Sequence, residues 1–448
     1  MLTFNGVDNA GEYLVTPVEV EELARRLIEG DGSRSSATMN GIARRATDET
    51  AALKWDVDPR DLSRTGWALV HAEDEDPQVL EALKPLVEWR AKKAGPLCRT
   101  IAWHKGESKG DFYERHGTAP AQPVEPKRLP YYLLLIGSPS RIPFDFQQEV
   151  DLEHAVGRID FDSPTEYAAY AASVIRAESE ALPERSAFFF GPSNPGDGPT
   201  SISAEFLVQH LSEHLAPRLR IRSCLGEEAT KSAFQEGLRE RPSLLFSASH
   251  GLAMTSGDPR QTAQQGALVC QDWGGPGTPV LPAHYLAASD IDAECDLTGM
   301  IAFLFACFGG GTPEHDAFAF DNAAPPRIAP SPFVARLPKR MLERGALAVI
   351  AHVERAYGYS FLWRNEPHRG AFEQTLEQIA AGYPVGAAME GFNMRWPILG
   401  VDYEKLRFEA RAGRNVDRRD LVAAWIQKND AQFYTVLGDP AAMLQQKV

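Results

Sequence analysis

The sequence of 448 residues has no long apolar run. Nothing in it approaches the roughly 20 consecutive apolar residues that a membrane-spanning helix needs, so no span is expected. The opening Met-Leu-Thr-Phe-Asn-Gly-Val-Asp has no basic stretch and no apolar stretch behind it, and does not read as a secretory signal. Cysteine is scarce: there are five, an odd number without regular spacing, which argues against a disulfide framework. A reduced, cytoplasmic setting is expected. Positive charge is also short. Lys and Arg number 46 against 61 Asp and Glu, a formal net charge of −15. That balance argues against a broad nucleic-acid footprint and would tolerate basic partners. Gly309 to Gly311 are not followed by Gly-Lys-Ser/Thr, so they form no phosphate loop. No fixed-period repeat and no low-complexity tract occurs.

What is there is ordinary globular composition, 44% hydrophobic and 24% charged, with chain enough for one large or two modest domains. Apolar runs alternate with segments of helical periodicity, the pattern of a parallel α/β sheet. Strands are expected near Trp67 to His71, Arg99 to Trp103, Tyr131 to Ile136, Ala187 to Phe190, Ile221 to Cys224 and Ala346 to His352. Helices are expected at Pro77 to Lys93, Thr165 to Leu182, Ser201 to Leu215, Lys231 to Arg239, Phe333 to Arg344, Phe372 to Ala380 and Leu421 to Lys428. Thr16-Pro17-Val18-Glu19 reads as a helix start, running on to Ile28. The divisions expected are an N-terminal appendage over residues 1–60, a first α/β subdomain over 61–183, and a second subdomain over 184–448 that holds the site.

Two stretches share one grammar. Ser243-Leu-Leu-Phe-Ser-Ala-Ser-His250-Gly251 and Met300-Ile-Ala-Phe-Leu-Phe-Ala-Cys307-Phe-Gly309 are each an apolar run that ends in a small residue and then one reactive side chain. Runs of this bulk suit strands buried on both faces, and open α/β sheets bind ligands where their strands end. A thiolate is a strong nucleophile. An imidazole beside it can take its proton and return it to a leaving amine. Glycine after the histidine lets backbone N–H groups approach closely, so the amides of Gly251 and Cys307 could hold an oxyanion.

An apolar run ending in His-Gly, followed by one ending in Ala-Cys, resembles the caspase-fold cysteine peptidases: caspases, legumains, gingipains and the bacterial CHAT-type proteases. Tyr131 to Gly137, Ile142-Pro143, Val156 to Ile159 and Val436-Leu-Gly438-Asp439-Pro440 are similar to flanking segments of gingipain-like catalytic domains, so the resemblance covers about residues 65 to 445. It implies a three-layer fold with mostly parallel sheets in two sheet subdomains. It also implies a cysteine endopeptidase with Cys307 as nucleophile and His250 as base and acid, needing no metal or cofactor. The partners implied are a protein or peptide substrate and a possible regulatory protein, with no nucleic acid and no membrane.

The specificity pocket in such peptidases is lined by the loop after the Ala346 to His352 strand. Asp151, Asp316 or Glu354 in it would favour a basic residue before the scissile bond, with Tyr359 also on the wall. Arg355 or Arg364 there would favour an acidic one. The expectation leans to basic. Two other readings stay open. The chain could be a catalytically silent scaffold of the same fold. His210-Leu-Ser-Glu213-His214 also matches an inverted zinc-peptidase motif, with two histidines on one helix face.

Overall fold

The computed structural model describes every residue except 30–51, 55, 121, 181–183, 318–324, 365 and 446–448. Arg44 and Arg45, where self-cleavage of an N-terminal segment is conceivable, lie outside the described residues.

Ten strands form one sheet. In chain order these are β1 (Trp67–Ala72), β2 (Cys98–Trp103), β3 (Tyr132–Ile136), β4 (Ala155–Ile159), β5 (Ser186–Gly191), β6 (Arg220–Leu225), β7 (Leu244–Ala248), β8 (Ile301–Phe305), β9 (Ala348–His352) and β10 (Tyr434–Gly438). In space they run β2-β1-β3-β4-β10-β9-β8-β7-β5-β6. Every neighbouring pair is parallel except β9 with β10. The fold is therefore α/β with a mostly parallel sheet, as expected. The sheets of the two expected subdomains meet as one: β10, from the end of the chain, joins the four strands of the first half to the five of the second. The halves run in opposite directions across that seam.

The strands are apolar on both faces, and helices cover both. Trp67 and Leu69 of β1 belong to one core cluster, and Ala68 and Val70, pointing the other way, belong to a second. Helices Pro77–Ala94 and Pro164–Ser179 cover the first face. Helices Lys109–Arg115 and Phe144–Val150 supply Phe112, Phe146 and Val150 to the second. Local chemistry sets the helix starts. Ser163 accepts from the N–H of Glu166, whose carboxylate answers the N–H of Ser163, a reciprocal cap of two otherwise orphan donors. No helix among the described residues is long and apolar enough to cross a membrane.

Two expectations shift for physical reasons. The helix read from Thr16 begins only at Val20, because the N–H and C=O of Val18 are spent on Leu2. The helix read from Phe333 begins at Arg336, because Phe333–Val334 pairs with Gly311–Thr312.

Candidate active site

β7 and β8 are neighbours, and their register pairs Ala248 with Phe305. His250 and Cys307 each stand two residues beyond that pair, side by side at the carboxyl edge of the second half. This register brings the two strand ends level. All five residues of each strand are buried. Each fully buried large apolar side chain contributes about 1.5–3 kcal/mol, and Ser247 is the one polar side chain along the two strands. The two ends touch: a Cβ on Gly251 would overlap the Cys307 carbonyl oxygen, so only glycine fits after the histidine. Phe308, next after the cysteine, has φ +58, and its N–H donates to the carbonyl of Glu354 at 2.8 Å. A non-glycine residue held in the left-handed region needs such support, and here it turns the chain sharply just past the thiol.

His250 is wholly buried. Its Nε2 lies 2.9 Å from Asp197 Oδ2. Its Nδ1 accepts the N–H of Gly6 at 2.7 Å, so Nε2 carries the proton and donates to the carboxylate. Tyr13 and Trp273 meet the ring edge-on at 6.1 and 5.8 Å. Asp197 caps the helix Gly198–Ile202 and also accepts from Thr200 N at 2.9 Å and Tyr13 Oη at 2.6 Å. Burial would raise its pKa. The hydrogen bonds from His250, Thr200 and Tyr13 instead hold it well below the usual carboxylate range. Asp197 was not singled out in the sequence. Its Asp-Gly-Pro helix start, with Pro199 in the first turn, was the available signal.

Cys307 is also wholly buried, and its thiol donates to the Ala356 carbonyl at 3.6 Å. Burial pushes it up to about 12. The thiol is thus protonated, with its proton on the Ala356 carbonyl while His250 Nδ1 is taken by the Gly6 N–H.

The residues expected in the specificity pocket fall in three places. Tyr359 packs on the N-terminal segment: its hydroxyl accepts the N–H of Thr3 at 3.3 Å and its ring meets Phe4 edge-on at 5.9 Å. Asp316 and Glu354 sit on one guanidinium near Phe308: Arg355 meets Asp316 at 2.6 and 3.1 Å and Glu354 at 3.2 Å, and lies 5.8 Å over the Phe308 ring. Burial pushes Glu354 up to about 7. Asp151 is interior, accepting from Val156 N at 2.8 Å and Asn393 Nδ2 at 2.7 Å. Arg364 faces away, paired with Asp417 at 2.8 Å and Asp420 at 3.3 Å.

His210 and His214 do not converge on one point. Their Nε2 atoms meet Glu373 at 2.6 Å and Glu377 at 3.0 Å, carboxylates of the helix Gly370–Ala380. Among the described residues no group of three or more His, Cys, Asp or Glu side chains is arranged to hold a metal ion.

No protein-family model matches the sequence. No curated protein matches it. Solved structures similar to it include the Arg-specific cysteine proteinase gingipain R, at 14% identity and a TM-score of 0.47 over 85% of this chain and 79% of that one. The complex of the pro- and mature domains of RgpB from Porphyromonas gingivalis is similar at 15% identity and a TM-score of 0.49, over 85% of this chain and 80% of that one. The separase–securin complex of Saccharomyces cerevisiae is similar at 11% identity and a TM-score of 0.32, over 69% of this chain and 16% of that one.

Proposed function

We propose that the chain is a cysteine endopeptidase. The observation that carries this is the register that sets His250 and Cys307 at equal offsets beyond Ala248 and Phe305, with Asp197 behind the histidine. In the competent state the thiol gives its proton to His250 Nδ1, and the thiolate attacks the substrate carbonyl. The amides of Gly251 and Cys307 would receive the oxyanion. Collapse of the tetrahedral intermediate expels the amine, which takes back the proton from Nδ1. Water then attacks the acyl-enzyme with the same imidazole as base. Asp197 keeps the proton on Nε2 and steadies the imidazolium that forms.

The preference proposed is for a basic residue before the scissile bond. The carboxylates that would serve it are Asp316 and Glu354, both bound to Arg355 near Phe308, the residue that follows Cys307.

Short peptides ending in Arg, Lys, Asp or Asn before a reporter group test both parts. Cleavage that is lost by at least about 10³-fold in Cys307→Ala and persists in chelator fits the reading. Cleavage that survives Cys307→Ala would end it. A preference for Asp or Asn would end the basic pocket alone.

A further inference from the structure

The first eighteen residues, read in sequence as part of an appendage, run through the candidate active site. Val7–Asp8 pairs in parallel with Leu252–Ala253, just past the His-Gly unit. The chain turns at Asp8, whose carboxylate accepts the N–H groups of Ala10 and Glu12. It returns with Leu14 donating to the Gly6 carbonyl at 3.1 Å, and closes with Leu2 and Val18 bonded to each other in both directions. Asn5 Oδ1 accepts from Gly358 N at 2.8 Å. Phe4 is buried against the edges of Tyr357 and Tyr359, at 4.9 and 5.9 Å.

At the centre is Gly6. Its N–H is on His250 Nδ1, the nitrogen that must take the thiol proton. A Cβ built on it would lie 2.8 Å from Cys307 Sγ. With φ +93 and no side chain, this residue alone lets the backbone pass between the base and the nucleophile. Tyr13, on the return arm, binds Asp197 directly at 2.6 Å. One hairpin thus touches the imidazole, crowds the thiol and reaches the carboxylate.

We propose that residues 2–18 form an inhibitory strap that blocks the peptidase cleft, so that activity requires the strap to be lifted. The strap copies a peptide in the cleft: Gly6 N occupies the position from which a leaving amine would collect its proton, with Asn5 on the acyl side. It holds Cys307 buried and leaves its thiol on the Ala356 carbonyl. The proposal rests on the cysteine-peptidase reading for its consequence, but not for its geometry, and the two are separable.

The test uses the full chain and iodoacetamide, with the modification of each cysteine followed by mass spectrometry. Gly6→Leu drives a side chain into Cys307 and should displace the strap. Alkylation of Cys307 is expected at least tenfold faster than in wild type, and a synthetic peptide of residues 1–18 should restore protection. Cys270, wholly buried elsewhere, is the internal control and should stay unreactive. If Cys270 reacts as well, that variant has unfolded. Asn5→Ala, which removes one hydrogen bond and adds no bulk, then decides, with a rise of several-fold in Cys307 alkylation expected. Wild-type Cys307 reacting as fast as in a folded strap variant overturns the proposal. Faster alkylation without peptide cleavage keeps the strap and ends the peptidase. Equal cleavage by wild type and variants keeps the peptidase and ends the strap.

Discussion

The two halves of the sheet are built from the same alternation of strand and helix, and they differ in what they do with buried charge. In the first half, Arg90 lies beneath its helices with no exposed surface. It holds Asp439 at 2.8 Å and Glu178 at 2.6 and 2.9 Å. Lys93 joins Glu178 at 2.7 Å, and Trp67 donates to Asp439 at 3.0 Å. Each carboxylate there faces a cation, so the cluster is closed. In the second half the row Asp197, His250, Cys307 is open at one end: the carboxylate is satisfied, the imidazole is half satisfied by the fold proper, and the last contact is made by the strap. A closed cluster locks helices to a sheet. An open row has a proton acceptor to offer. The difference is in the partners of the last member, not in the kind of residue.

Breaking the closed cluster should show the larger effect. Arg90→Met removes the guanidinium, leaves Glu178 with Lys93 alone and strands Asp439 buried without a cation. A loss of about 3–5 kcal/mol is expected, because stranding a buried charge costs more than the pair contributes. Denaturant midpoints measure it, and the activity of each folded molecule should not change. A fall of less than about 1 kcal/mol would mean the cluster is not structural. Breaking the open row should do the reverse. Asp197→Asn with its oxygen toward Thr200 keeps the helix cap and an acceptor for His250 Nε2, but removes the negative charge that steadies the imidazolium. The kcat should fall by at least about 10²-fold with little change in the denaturant midpoint. Unchanged kcat would show that Asp197 is only a cap.

The same contrast explains what could be read from sequence. Strands buried on both faces announce themselves as continuous Val, Leu, Phe and Ala runs, and β1, β3, β7, β8 and β9 were read within a residue or two. His250 and Cys307 were legible because each breaks such a run at its end. The seam strand Tyr434–Gly438 was not read as a strand, since a five-residue segment ending in Gly438 and followed by Asp439-Pro440 carries turn chemistry as strongly as strand chemistry. The helix Arg395–Arg411 was missed because it has buried residues such as Trp396 and Tyr403 but no sharp apolar stripe. Asp197 sits 53 residues before His250, and Gly6 sits 244 before it. No local pattern links residues that only the tertiary fold brings together. Asp151, chosen by rough analogy, shows the converse: its chemistry was legible, but its neighbours were not.

Asp151 offers the finest test of whether an interior carboxyl in the first half is inert. Burial pushes its pKa from 3.8 up to about 8, against the pull of the Val156 N–H and the Asn393 amide. Below about pH 4 the acid is protonated in both folded and unfolded chains. Between about 4 and 8 the unfolded chain releases a proton that the folded chain keeps. This group therefore contributes its full share of stability at low pH, and that share is lost as pH rises through the folded value. The slope cannot exceed about 1.4 kcal/mol per pH unit. Asp151→Asn keeps a carbonyl for Val156 and needs only that Asn393 turn its amide round. The variant should thus gain on wild type as pH rises from 5 to 8, in denaturant midpoints taken side by side, while kcat holds. A constant gap across that range would mean that Asp151 ionises normally inside the fold. A fall in kcat would bring it into the cleft and tie the first half to the chemistry of the second.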